Sequence, residues 1–152
     1  MKVISWGTFV LVILGTLVVL TPYSVFPICQ AAVSTASGGT VPMKCFWSAR
    51  ATLGNGGLII AAGLLLFFAK HSGVRLGIAL MLLPVGLLTI LTPSVLIGVC
   101  AAETMPCHMG TLPALSLLGL LVMLTAAVIA FRSGKALRAE QSLRAKQGRG
   151  NV

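Results

Sequence analysis

Four stretches of the chain hold no Asp, Glu, Lys or Arg and are apolar from end to end, at about 4–20, 51–69, 76–97 and 113–131. A hydrocarbon core about 30 Å thick takes roughly 20 apolar residues per helix, with a usable range of about 17–25. Each stretch is long enough to cross such a layer once. None alternates apolar with polar residues as a barrel strand must, so helices are predicted throughout. Charged residues make up 9% of the chain, against about 25% in a soluble domain. The predicted fold is all-α: a four-transmembrane-helix bundle over residues 1–131, then a basic tail over 132–152.

Met1-Lys2 followed by an apolar run also fits a secretory signal peptide. That run is long for such a segment, and Thr21-Pro22-Tyr23-Ser24-Val25-Phe26-Pro27 offers no small-x-small cleavage site. It is read as a retained membrane span.

A net charge of +9 invites a nucleic-acid partner, but its placement argues against one. With four spans, Lys2, Lys70, Arg75, Arg132, Lys135, Arg138, Arg144, Lys146 and Arg149 lie on one side, and only Lys44 and Arg50 on the other. Basic residues concentrate on the cytoplasmic side of membrane proteins. Both termini are therefore predicted in the cytoplasm, in a multi-pass protein of the cell inner membrane, with Arg132, Lys135 and Arg138 touching anionic lipid headgroups.

The chain also repeats itself. Leu20-Thr21-Pro22, six residues and Cys29 are followed by Met43-Lys44-Cys45; Leu91-Thr92-Pro93, six residues and Cys100 are followed by Met105-Pro106-Cys107. All four cysteines fall in these two stretches. The pattern predicts two tandem two-helix repeats in the same orientation, related by an axis along the membrane normal. Gly54, Gly56, Gly57, Ala61, Ala62 and Gly63, with Gly73-x-x-x-Gly77, predict close packing of the second helix on the third, because small residues let backbones approach in lipid. Pro84 is expected to bend the third helix. Asn55 is read as an interhelical hydrogen-bonding residue in preference to a substrate or quinone contact. Trp6, Tyr23, Phe46 and Trp47 suit the membrane interfaces.

The only carboxylates are Glu103 and Glu140, and Glu140 lies in the tail. That excludes paired-carboxylate catalysis and the oxygen-rich sites of Mg²⁺ or Ca²⁺. The spans hold no ionisable residue, which argues against a proton-coupled carrier. No catalytic residue is assigned.

Three readings of the external loops compete. In the first, Cys29, Cys45, Cys100 and Cys107 form structural disulfides, since an oxidising compartment pairs thiols. Pairing within each loop is the simplest connectivity, but sequence does not choose among the three possible ones. In the second, Met43, Cys45, Met105, Cys107 and His108 hold copper, because Cys, Met and His are ligands that select Cu(I). In the third, the cysteines carry thiol–disulfide exchange linked to a quinone. Bacterial quinone-linked enzymes that generate disulfides share the plan of four helices, cytoplasmic termini and a cysteine pair in each external loop. This chain lacks their Cys-x-x-Cys, although Lys44 and Arg50 near Cys45 could lower its thiol pKa.

Pro42-Met43-Lys44-Cys45-Phe46-Trp47-Ser48-Ala49-Arg50-Ala51, Ile97-Gly98-Val99-Cys100 and Met105-Pro106-Cys107, together with four spans, resemble a family of small prokaryotic four-helix membrane proteins, the domain of unknown function 4418 family. The resemblance covers about 5–131. It implies membership and topology and supplies no activity. The family pattern carries a histidine directly after Met-Lys-Cys; Phe46 stands there in this chain, which weakens any ligand role at that position.

The reading that follows is a non-enzymatic accessory or structural subunit of a membrane assembly, with a disulfide-pinned outer cap and no cofactor. Its partners would be the lipid bilayer and a membrane protein or a second copy of itself. The alternative is a thiol-redox or copper-handling protein using the same cysteines.

Overall fold

The computed structural model describes residues 2–25, 32–34, 40–42, 44–98 and 107–149. Its long elements are four helices: α1 (Lys2–Leu20), α2 (Lys44–Phe68), α3 (Ser72–Leu91) and α4 (Leu112–Arg149). Two three-residue strands, β1 (Ala32–Ser34) and β2 (Thr40–Pro42), pair antiparallel between α1 and α2, with Val33 opposite Val41. Each of the four helices, by itself or with its adjoining turn, is long and apolar enough to cross a membrane.

The helices form two antiparallel hairpins. α1 packs chiefly on α2 and α3 on α4, and the hairpins meet through α1 against α4 and α2 against α3. The core is a narrow seam of Leu11, Val18, Ile59, Leu66, Ala79, Leu82, Leu115, Val122 and Ala126. The outer surface is equally apolar: Phe9, Leu58, Phe67, Leu117, Leu124 and Val128 are each more than half exposed. So large an apolar surface is unfavourable in water and matched to lipid chains. The protein is a multi-pass membrane protein by this construction.

Helix boundaries depart from the expected spans where no breaker residue stands. α2 starts at Lys44, seven residues before the apolar run, because Lys44-Cys45-Phe46-Trp47-Ser48-Ala49-Arg50 contains neither Gly nor Pro. The Arg50 guanidinium lies 5.4 Å from the Phe46 ring centre, and Phe46 meets Trp47 edge-on. This end of α2 therefore carries an aromatic and cationic girdle of the kind found at a membrane surface. Trp6 is exposed near the start of α1 and Tyr23 beyond its end. α3 continues through Pro84 to Leu91, and Pro84 is exposed.

The tail is helical through Arg149 and continuous with α4. Its 38 residues extend about 57 Å at 1.5 Å per residue, nearly twice the hydrocarbon thickness. Good helix formers such as Ala, Leu, Arg, Lys and Gln, with no proline, carry the helix on, and most of its tail residues are exposed. The Glu140–Arg144 ion pair at 3.1 Å is an i,i+4 contact that adds to it.

The expected tight packing of α2 on α3 is not what the structure shows. A Cβ built at Gly54, Gly57 or Gly77 meets nothing within 4 Å, and one at Gly73 meets only Leu137 of α4 at 3.9 Å. The close approaches lie within each hairpin. A Cβ at Gly15 would fall 3.2 Å from the Gly56 carbonyl oxygen, and one at Gly56 would fall 3.1 Å from that of Gly15. Gly86 and Gly119 stand in the same reciprocal relation, at 3.1 and 2.9 Å. Small-residue spacing identifies a surface that can approach a neighbour and does not say which neighbour it faces.

The two hairpins also bury residues at corresponding places. Counting back from Thr21 and from Thr92, Leu11 matches Leu82, Gly15 matches Gly86 and Val18 matches Thr89; all are buried. Counting from Gly56 and Gly119, Thr52 matches Leu115, Ile59 matches Val122, Gly63 matches Ala126 and Leu66 matches Ile129; all are again buried.

Candidate functional site: the hydroxyl layer at the Thr-Pro end of the bundle

Both Thr-Pro steps end a helix in the same manner. Proline lacks the N–H that would bond four residues back and cannot extend the α ladder. The chain widens there into π-type turns at Thr21–Val25 and Thr92–Leu96. The Ile97 amide donates to the Thr92 carbonyl at 3.1 Å, the i→i+5 bond of such a turn. The Thr21 hydroxyl donates to the Leu17 carbonyl at 2.7 Å, and that of Thr92 to the Leu88 carbonyl at 2.6 Å. Backbone oxygens near the proline gain a donor in this way, which matters where water is scarce. Gly98, with φ 78°, then takes the chain out of the helical direction through a conformation that suits glycine.

A third π-type turn, Cys107–Thr111, leads into α4. The first two turns contact α2, and the second also contacts α4, which the third turn precedes at the same end of the bundle. Beneath them lies a buried polar layer of Thr21, Ser48, Thr52, Thr92 and Thr111. The Thr52 hydroxyl donates to the Ser48 carbonyl at 2.8 Å. Asn55 joins α2 to the second turn, its Nδ2 donating to the Thr92 hydroxyl at 3.4 Å. The interhelical reading of Asn55 holds. The buried Thr111 hydroxyl has no hydrogen-bond partner among the described residues.

The layer lies at the end of the bundle where α2 starts and the turn before α4 stands. Cys45 is the second residue of α2, and Cys107 the first of the turn that precedes α4. Their side chains, and that of His108, lie outside the described residues, as do Cys29, Cys100, Met43, Met105 and Glu103 altogether. The fold thus brings the start of α2, with Cys45, and the turn before α4, with Cys107, to one end of the bundle. Disulfide pairing and the proposed copper donor set fall on side chains outside the described part.

The opposite end carries most of the basic residues. Arg132, Lys135 and Arg138 on α4 are all exposed. The Lys135 ammonium lies 4.6 Å from the centre of the exposed Phe131 ring, an aromatic–cation pairing suited to the edge of an apolar layer. Arg75 has a structural task as well: its Nε donates to the Ala69 carbonyl at 2.6 Å and closes the turn between α2 and α3.

Sequence reasoning missed the two glycine pairs and the hydroxyl layer. A signal for the first was present, since Gly15 precedes Thr21 by six residues and Gly86 precedes Thr92 by six.

Residues 11–132 match the model of the family described as Domain of unknown function (DUF4418). The chain belongs to that family. The match runs from within α1 to the point where α4 leaves the apolar region, so it takes in both hairpins, both Thr-Pro turns and both cysteine-bearing segments. No curated protein and no solved structure matches the chain.

Proposed function

We propose that this DUF4418 protein is a non-enzymatic accessory subunit of an inner-membrane assembly. It would anchor a small disulfide-pinned cap on the outer face, with both termini in the cytoplasm. The observation that carries this reading is the character of the bundle interior. The four spans hold no ionisable side chain, and each hairpin is locked at a glycine pair that leaves no room between its helices. Transport paths and proton relays need polar or ionisable groups within the membrane; a rigid anchor does not. The basic end, with Lys70, Arg75 and the tail, supports the cytoplasmic assignment. The matching buried positions of the two hairpins support descent from a duplicated two-helix unit, with the second copy rotated about the membrane normal.

In the cap, Cys29 would pair with Cys45 and Cys100 with Cys107. Closing a loop of about fifteen residues contributes on the order of 3 kcal/mol in the chain-entropy model, and the shorter loop somewhat less. The alternative, quinone-linked thiol–disulfide exchange or Cu(I) handling by the same cysteines, is favoured by one observation: the start of α2, with Cys45, and the turn before α4, with Cys107, lie at the same end of the bundle.

A thiol count on protein purified without reductant, with and without added Cu(I), decides between them. Four blocked cysteines, reached by a membrane-impermeant reagent from outside only after reduction, are expected. Thiols that cycle with a quinone, or free thiols protected by Cu(I), would replace the structural reading. Labelling from the cytoplasmic side alone would reverse the topology.

A further inference from the structure

The bundle is closed within each hairpin and open between α2 and α3. A groove of ≈ 520 Å³ runs along that boundary, lined by α2 residues including Leu58, Ala61 and Ala62 and α3 residues including Val74, Gly77 and Val85. Its walls are almost wholly apolar. At corresponding places on the other side of the bundle, between α4 and α1, larger side chains stand. Leu124 corresponds to Ala61, Thr125 to Ala62 and Trp6 to Gly77, counting from Gly119 and Gly56 and from Thr21 and Thr92. There Ile129 also packs against Gly7, 3.3 Å from where a Cβ would lie. The groove thus lies where the smaller of the corresponding residues stand.

Its extent and ends point to its occupant. From Val74 to Val85 the groove covers about 16 Å of helix, close to the depth of a single leaflet, about 15 Å. Farther along, the Asn55–Thr92 hydrogen bond ties α2 to the end of α3. A partner helix would require a surface through the whole membrane, about 30 Å, whereas a single acyl chain requires half of that. The open end adjoins the turn Ala69–His71. Lys70 in this turn is exposed and has no hydrogen-bond or ion-pair partner among the described residues. The first turn of α3 beside it has no side-chain cap from His71, so its amides add to the positive potential there. Glu140, the carboxylate facing this end from α4, is engaged by Arg144.

We propose that the α2–α3 groove binds one acyl chain of an anionic phospholipid from the leaflet adjoining this turn, with Lys70 as the principal contact of its phosphate. This goes beyond the accessory-subunit reading and does not depend on it.

The test is native mass spectrometry of the full chain released from nanodiscs of phosphatidylcholine and phosphatidylglycerol. The wild type is expected to retain one phosphatidylglycerol. Gly77→Leu and Ala62→Leu fill the groove and should lower that occupancy roughly tenfold. Gly77→Leu is the safer for folding, because a Cβ there meets nothing within 4 Å. Lys70→Ala, outside the spans, should lower the phosphatidylglycerol-to-phosphatidylcholine ratio about fivefold, the value of one basic residue near the surface, and Lys70→Arg should restore it. Val128→Leu, on an exposed part of α4, should change neither. Unchanged occupancy in both filled variants, or a lipid ratio that Lys70→Ala does not move, overturns the proposal. A dimer that Gly77→Leu dissociates would also overturn it and assign the groove to a second copy of the chain.

Discussion

Gly119→Ala is expected to loosen the α3–α4 hairpin even though alanine is the better helix former. The added methyl would lie 2.6 Å from Ile90 Cγ1 and 2.9 Å from the Gly86 carbonyl oxygen. The isoleucine can move to another rotamer; the carbonyl is part of α3 and cannot. Reaching ordinary contact at 3.4 Å requires the helices to part by roughly half an ångström, in an interior that tolerates little overpacking. Overpacking of this kind costs about 1–3 kcal/mol, and replacing a helical glycine by alanine returns up to about 1 kcal/mol. The net expectation is a loss of about 1 kcal/mol. Gly77→Ala is the control: the methyl meets nothing within 4 Å, so the propensity gain stands alone at about 0.5–1 kcal/mol. The two variants should differ by about 2 kcal/mol in reversible unfolding, followed by far-UV circular dichroism as a denaturing detergent is titrated into mixed micelles. In an Ile90→Ala background Gly119→Ala should remain destabilising, because the carbonyl contact persists. Equal stability of Gly119→Ala and Gly77→Ala would refute the claim that glycine contacts hold the hairpin.

Three further outcomes test other parts of the structure. Thr111→Val, nearly the same shape, removes a buried hydroxyl that has no partner among the described residues and should raise stability by about 1 kcal/mol in the same titration; a loss would mean that the hydroxyl has a partner in the folded protein. Asn55→Leu breaks the bond to Thr92 and should cost roughly 0.6 kcal/mol, the average for interhelical hydrogen bonds in a membrane bundle, while Asn55→Leu combined with Thr92→Val should cost little more than the single change. Truncation after Ala136 leaves Arg132 and Lys135 in place and should not alter membrane insertion in a protease-protection assay, because α4 is already long and apolar enough to cross before that point; failure to insert would give the tail a role in folding.

The number of spans and the helical class were legible because the bilayer is an unforgiving solvent. A run such as 113–131, with no charge and no water to satisfy its backbone, has few options besides a helix. The gathering of basic residues at one end followed from counting crossings. The interhelical role of Asn55 followed from the scarcity of donors in the spans. The partner of each helical face was not legible. Gly73-x-x-x-Gly77 reads in sequence as a packing face, yet a Cβ at Gly77 meets nothing within 4 Å, while Gly15, which no such motif marks, contacts Gly56 closely. In lipid both faces of a helix are apolar, so the pattern that separates core from surface in a soluble protein carries little information. The start of α2 at Lys44 and the run of α4 to Arg149 escaped for a related reason, since hydropathy records where lipid ends and a helix can continue past that point. The open boundary between α2 and α3 came only from the tertiary structure: Ala61, Ala62 and Gly77 become a groove when helix rotation sets them opposite one another, and that rotation is set by the close contacts at Gly56 and Gly86 on other faces of the same two helices.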